Sequence, residues 1–248
     1  MGTAIVTGAS GGIGLELARL LARDGHEVWL VARSADRLHE VARELSGARV
    51  VVADLSTDSG IEAVLAAVPE CDVLVNNAGF GDLGPFIASS APKIDQMIGV
   101  NVRALTMLTH RYASGMSARG QGRILNVAST AAFQPGPLMS VYFATKAYVL
   151  SFSEGLAEEL RGSGVTVTAL CPGPTQSGFA EAAAMRGSGP VKGRRLPTSA
   201  EVAAAGYRAL LAGEVVHVTG LRNRVLAAGV RVVPRSLARR VVMRLNSG

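Results

Sequence analysis

The sequence predicts an α/β fold, a doubly wound seven-stranded parallel sheet with helices on both faces, and three observations carry that prediction. Short β-branched apolar runs alternate with stretches of helical periodicity, the pattern of strands buried on both faces and joined by right-handed crossovers. A glycine-rich turn joins the first run directly to an amphipathic segment. The 248 residues, 48% of them apolar, suffice for one domain with a large core and are few for two.

The first strand is expected over Thr3 to Thr7, leading through T-G-A-S-G-G-I-G into a helix over Gly14 to Arg23. Gly8, Gly12 and Gly14 then occupy a strand-to-helix turn. A backbone without side chains can turn tightly there and approach a pyrophosphate, whose charge meets amides at the helix N-terminus. The spacing is G-x-x-x-G-x-G, and its place on the first βα turn makes the expected fold Rossmann-type. The second strand, Glu27 to Val31, ends in Ala32 and Arg33, where a cofactor ribose is read. An acid there would bond the 2′-hydroxyl of NAD, whereas arginine forks onto a 2′-phosphate, so NADP(H) is preferred over NAD(H). The plainer reading is that Arg33 only starts the next helix, expected over Asp36 to Leu45.

The third strand, Arg49 to Ala53, ends at Asp54, and the fourth, Asp72 to Val75, runs into N-N-A-G at Asn76 to Gly79. Carboxyl ends of parallel strands line the ligand crevice of such a sheet. Strands over Arg123 to Val127, Val165 to Leu170 and Val215 to Thr219 complete the seven, with a helix over Tyr142 to Leu160. The stretch 178 to 197, rich in Gly, Ala and Arg and broken by prolines, has the composition of a mobile loop or short lid helix.

The formal charge of +6 does not point to nucleic acid, because it is confined to one end of the chain. Residues 221 to 248 hold seven arginines and no acid, and the remaining 18 basic side chains stand against 19 acidic ones. Nothing in the body interleaves basic and aromatic residues as a nucleic-acid surface would. Cys71 and Cys171 lack metal-ligand spacing and read as small core residues. The apolar strand pattern begins within two residues of Met1, and no apolar run is long enough to span a bilayer, so a cytoplasmic protein is expected.

Tyr142 and Lys146 carry the chemistry. A spacing of four on a helix puts both on one face, where an ammonium lowers the pKa of a phenol that otherwise titrates near 10. Ser129 lies thirteen residues before the tyrosine. Taken singly, the pair could be a surface accident and the serine a cap on local backbone. The chain has only three lysines and four tyrosines, which makes the accident less frequent.

Together these residues resemble the short-chain dehydrogenase/reductase family. The resemblance rests on T-G-A-S-G-G-I-G, D-L at 54 and 55, N-N-A-G, N-V at 101 and 102, N-V-A-S-T, Y-F-A-T-K and P-G-P-T at 172 to 175, in order and spacing. It is nearest to the bacterial NADP-dependent reductases grouped with 3-ketoacyl and hydroxysteroid reductases. The resemblance implies that Tyr142 is general acid for carbonyl reduction and base for the reverse oxidation. Lys146 bonds the nicotinamide ribose and lowers the tyrosine pKa, Ser129 holds the substrate oxygen, and Asn101 holds a water linking Lys146 to solvent. It further implies cofactor contacts from Gly8, Ser10, Gly12, Ile13, Gly14, Arg33, Asp54, Leu55, Asn77, Ala78, Gly79, Pro172, Gly173 and Thr175, besides Tyr142 and Lys146. Thr175 meets the nicotinamide carboxamide or a cofactor phosphate. A homo-oligomer, a small carbonyl or alcohol substrate and no metal follow by the same resemblance.

Phe80, Phe86, Phe133, Leu138 and Met139 around the expected crevice suggest an apolar or acyl-bearing substrate. The alternative function is a regulator or scaffold that binds the dinucleotide without turnover. Gly11 stands where some NADP-dependent relatives place a basic residue, leaving 2′-phosphate recognition mainly to Arg33.

The chain divides in expectation into a catalytic domain, 1 to 220, and a basic extension, 221 to 248. Within the extension, Ser236 is expected to cap a helix after Pro234. Leu237, Val241 and Leu245 share one face, with Arg239, Arg240 and Arg244 largely opposite. Such a helix can pack on its own domain or a sister subunit, cover a substrate entrance, or lie on an anionic membrane surface.

Overall fold

The computed structural model describes residues 2–178, 195–230 and 232–247. Seven parallel strands form one sheet in the order β3-β2-β1-β4-β5-β6-β7. They are β1 (Thr3–Thr7), β2 (Glu27–Ala32), β3 (Arg49–Val52), β4 (Val73–Asn76), β5 (Gly122–Val127), β6 (Val165–Cys171) and β7 (Val216–Val218). The order reverses between β1 and β4, which opens the ligand crevice there. Both central strands are buried along nearly their whole length, and this accounts for their continuous apolar runs.

One face of the sheet is covered by α1 (Gly12–Arg23), α2 (Ala35–Glu44) and α7 (Ser199–Ala212). Leu17, Leu21, Leu38 and Leu210 pack there against Val6, Leu30 and Leu125. Tyr207 of α7 donates to Asp24 at the end of α1 across 2.8 Å, locking these two helices together. The other face carries α3 (Asp58–Ala67), α5 (Leu105–Arg119) and α6 (Ser140–Glu159). Ile61, Val64, Leu108, Tyr112 and Met116 are buried there on Ile5, Leu74 and Ile124. Cys71 and Cys171 are both free and buried, as small core side chains.

The helix α4 (Ala91–Ile98) runs into α5 through one π turn, Gly99–Ala104, which includes Asn101. An extra residue in a helical turn shifts the hydrogen-bond ladder and re-aims side chains, and such turns concentrate at functional sites. A buried polar chain fastens α5 and α6 to the sheet. Asn76 Nδ2 donates to Thr109 Oγ1 and Asn126 Oδ1, each at 2.9 Å, and Asn126 Nδ2 donates to Ser153 Oγ at 3.0 Å.

Two further helices, α8 (Leu221–Val230) and α9 (Arg235–Asn246), follow β7. Pro234, not Ser236, takes the N-cap position of α9, and no side chain bonds its first amides. A proline before the helix fixes the chain direction, so the serine falls inside the first turn. The buried residues of α9 are Ala238 and Asn246, while Leu237, Val241 and Leu245 stay about half exposed. The packed stripe is therefore one residue on from the expected one, because it closes on small side chains. The loop or lid expected over 178 to 197 falls, apart from its ends, outside the described residues.

Candidate active site

The glycine turn and N-N-A-G form one bonded unit. Gly8 follows β1 at φ +66 and its amide donates 2.8 Å to Val31, tying the turn to β2. Asn77 Nδ2 donates to the carbonyls of Thr7 and Gly8 at 3.0 and 3.2 Å. The Thr7 hydroxyl accepts the amides of Asn77 and Ala78, each at 3.0 Å, and donates to Val75. A Cβ added at Gly14 would lie 2.4 Å from both the Gly8 carbonyl oxygen and Asn77 Nδ2, so close packing excludes a side chain there. A Cβ at Gly11 meets nothing within 4 Å, so this part of the turn faces open space. The first amides of α1 carry no side-chain cap, leaving them free for an anion. These features fit a dinucleotide pyrophosphate.

A cleft of about 1600 Å³ runs along the carboxyl ends of the strands. Every residue singled out from the sequence as catalytic or cofactor-binding lines it, except Gly14 and Asn101. Arg33 is exposed on its wall, and Asp54 accepts the Ser56 amide and hydroxyl at 2.9 and 2.8 Å. The Ser56 amide is the main cause holding the Asp54 carboxyl below its ordinary range. Arg37, which no motif marks, donates from Nε to the Ser10 carbonyl at 3.3 Å, holding the turn from α2. Thr175 lines the cleft with its hydroxyl donated to the Gly173 carbonyl at 2.9 Å.

At the other end of the cleft, β5 delivers Ser129, which caps a short 3-10 turn by accepting the Ala131 amide at 3.1 Å. Tyr142 and Lys146 lie one turn apart near the start of α6, 8% and 5% exposed. Lys146 Nζ donates 2.7 Å to the Val127 carbonyl and lies 5.9 Å from the centre of the Tyr142 ring. A Ser129 hydrogen bond pulls the Tyr142 pKa down, but burial outweighs it and pushes the phenol up to about 12. Burial likewise lowers the Lys146 ammonium to about 8. The expected lowering of the phenol by Lys146 is thus not what the chain by itself shows. With both groups buried, desolvation disfavours the charged form of each.

Asn101 is buried, its Oδ1 accepting the Phe80 amide at 3.1 Å and its Nδ2 donating to the Phe80 carbonyl at 2.9 Å and Thr145 Oγ1 at 3.0 Å. The π turn brings it against α6, beside the lysine. A Cβ at Gly79 would stand 3.0 Å from Asn101 Oδ1 and 3.4 Å from Lys146 Nζ, so the glycine permits this close approach. Thr145, within Y-F-A-T-K, and Thr7, opening T-G-A-S, were marked by their motifs, but their bonding partners were not.

The apolar end of the cleft is walled by Phe80, Met139 and Phe143 on one side and by Leu226, Leu237 and Val241 of α8 and α9 on the other. Phe86, Phe133 and Leu138 do not line it. Phe86 is 60% exposed, and Phe133 packs against the cluster around Val149. Leu138 takes a left-handed φ of 66, held by its carbonyl accepting the Gly84 amide at 2.8 Å. Asn246, at the end of α9, donates 2.8 Å to the Pro137 carbonyl.

A doubly wound sheet with a glycine-turn crevice at its switch point, leading to a half-buried serine beside a buried tyrosine and lysine, defines a nicotinamide-dependent oxidoreductase. The chain belongs to the short-chain dehydrogenase/reductase family, whose short chain dehydrogenase model matches residues 2–186. Members act on CH–OH and C=O groups, and this chain is an enzyme of that kind. A very-long-chain 3-oxoacyl-CoA reductase of Anas platyrhynchos is 36% identical over 181 residues, 68% of this chain and 58% of that one. A short-chain dehydrogenase of Sphingobium yanoikuyae in complex with NADPH superimposes with a TM-score of 0.83 at 33% identity, covering 93% of this chain and 94% of that one. A 3-ketoacyl-(acyl-carrier-protein) reductase of Brucella melitensis complexed with NADH gives 0.75 at 32% identity, covering 87% and 94%.

Proposed function

We propose that this enzyme is an NADP(H)-dependent reductase of ketones or aldehydes on apolar or acyl-bearing molecules, with oxidation of the secondary alcohol as the reverse reaction. The observation that carries this reading is the buried Tyr142 side chain beside Ser129 at the apolar end of the same cleft that holds the glycine turn. A nicotinamide bound in that cleft supplies or accepts the hydride.

Tyr142, with its pKa raised to about 12, keeps its proton at neutral pH and can deliver it to a carbonyl oxygen as negative charge develops there. Ser129 donates a second hydrogen bond to that oxygen, exchanging its 3.5 Å contact with the Pro172 carbonyl for the substrate. Lys146, held by Val127 through one N–H, has two others that would bond a nicotinamide ribose in the cleft it lines. The carboxamide of Asn101 is committed to Phe80 and Thr145, which fixes it beside Lys146.

Arg33, exposed on the cleft wall and without an ion pair among the described residues, reads a 2′-phosphate. The apolar wall formed by Met139, Phe143, Leu237 and Val241 supports the apolar substrate, as does the likeness to an acyl reductase. In this reading residues 1–220 do the chemistry, and 221–248 complete the substrate end.

A panel of ketones and aldehydes followed by NADPH absorbance tests the proposal. Turnover on a hydrophobic ketone or 3-oxoacyl thioester, with none by Tyr142→Phe, is the expected result. Full turnover by Tyr142→Phe on the best substrate would overturn it.

A further inference from the structure

The last two helices carry more exposed apolar surface than a cleft wall needs. Of sixteen large apolar side chains exposed among the described residues, eight lie between Leu221 and Leu245. Some of these border the cleft, but Val225, Val232 and Met243, exposed by 64, 85 and 43%, do not line it. The same segment carries Arg222, Arg224, Arg235, Arg239, Arg240 and Arg244, all exposed. No ion pair includes any of the six among the described residues, and 221–248 contains no acid to pair with. Basic heads around solvent-exposed aliphatic side chains make a surface that water does not satisfy and that an anionic, partly apolar partner does.

We infer that α8 and α9 form a platform that docks this enzyme on an anionic lipid surface. Charge complementarity selects the partner. Arginines on a surface without acids are drawn to anionic headgroups, and Val225, Val232 and Met243 gain by entering the acyl boundary. A nucleic acid would use the arginines but has nothing to offer the aliphatic side chains, and 221–248 has no aromatic residue on which a base could stack. No helix among the described residues is long and apolar enough to cross a membrane, so the contact is peripheral.

Docking on this platform also places the cleft. Asn246 ties the end of α9 to Pro137, and the neighbouring Leu138 accepts the amide of Gly84. Gly84 leads to Phe86 and Ile87, which are 60 and 95% exposed. The platform, the Pro137 loop and this second apolar projection are thus linked in sequence around the apolar end of the cleft. A lipid surface beneath the platform lies next to the entrance for an apolar substrate, a consequence that rests on the proposed carbonyl reduction. The docking itself does not.

Cosedimentation of the full chain with phosphatidylcholine vesicles, with and without phosphatidylglycerol, reads the docking without any turnover. Binding to the anionic vesicles at low salt, weakened by high salt, is the expected result. Substituting Arg239→Glu, Arg240→Glu and Arg244→Glu together lowers the partition coefficient by about a hundredfold or more, taking about fivefold for each arginine. Val225→Asp with Val232→Asp also lowers it. Both variants retain wild-type NADPH oxidation on a small water-soluble ketone, which shows that they are folded. Failure to bind anionic vesicles, equal binding to both vesicles, or binding unchanged in the charge-reversed variant overturns the inference. So does light scattering that shows a mass multiple lost on Val225→Asp with Val232→Asp, because the face is then covered by a second copy.

Discussion

Lys146 donates a 2.7 Å hydrogen bond to the carbonyl of Val127, two residues before Ser129. This bond, together with the one from Asn126 Nδ2 to Ser153 Oγ, joins the helix bearing the tyrosine to the strand that leads to the serine. The spacing of the two oxygen-binding groups therefore rests in part on one buried lysine. Its loss should disturb geometry as well as charge.

Lys146→Met separates those effects by pH. Burial lowers the lysine pKa from its ordinary 10.5 to about 8, so between those values the folded chain binds fewer protons than the unfolded chain. Stability contributed at this position rises with pH through that window, while below about pH 8 the full cost of burying the charge remains. Tyr142, raised from 10.0 to about 12, acts in the opposite sense above pH 10 in both proteins. Denaturant titrations should show the unfolding free energy of wild type gaining on that of Lys146→Met by a few kcal/mol between about pH 8 and 10.5. A flat difference would place the folded lysine pKa near its ordinary value.

Tyr142→Phe should lower kcat by about 10²- to 10⁴-fold while leaving the NADPH dissociation constant within a few-fold. In the wild type, alcohol oxidation should rise with pH, because the base form of a phenol near 12 is scarce at neutrality. Steady-state rates in both directions across a pH series check this.

Arg33→Asp should weaken NADPH binding by about ten- to a hundredfold, the loss of a charge-assisted contact, and leave NADH binding level or improved. Fluorescence titration with both cofactors measures it. Equal affinities in the wild type would remove Arg33 from cofactor selection.

Gly79→Ala tests the junction above the lysine. The new methyl must displace Asn101 Oδ1 or Lys146 Nζ, standing 3.0 and 3.4 Å away. A shift of that kind should cost about ten- to a hundredfold in kcat with only a small change in melting temperature.

Asn126→Ala breaks the polar chain behind the site, leaving the Asn76 amide and the Ser153 hydroxyl each short of a buried partner. A loss of about 1–3 kcal/mol is expected from chemical denaturation.

Much of this was legible in the residues themselves. The glycine spacing, the four-residue step from Tyr142 to Lys146 and the position of Ser129 are local patterns, and local patterns survive in a linear text. The strands follow from the same cause, since short β-branched runs stand out between helical stretches, most clearly in the buried central β1 and β4. The π turn at Asn101 left no such mark, because a shift in helical register depends on what the helix packs against. Nor did the role of Phe133, which the crevice would have suited as well as the core it joined.

By itself, then, the sequence determined the sheet, the phosphate turn and the chemical groups of the site, each encoded within a few neighbouring residues. Only the tertiary structure decided the burial of the pair and the wall of the substrate end. Burial of Tyr142 and Lys146 is a property of everything packed around them, and it disfavours the charged form of each, which their spacing alone does not show. The last helix reaches the cleft through one bond from Asn246 to Pro137, more than a hundred residues earlier in the chain. No periodicity reports a contact of that range, because it exists only once the sheet has brought the two ends together.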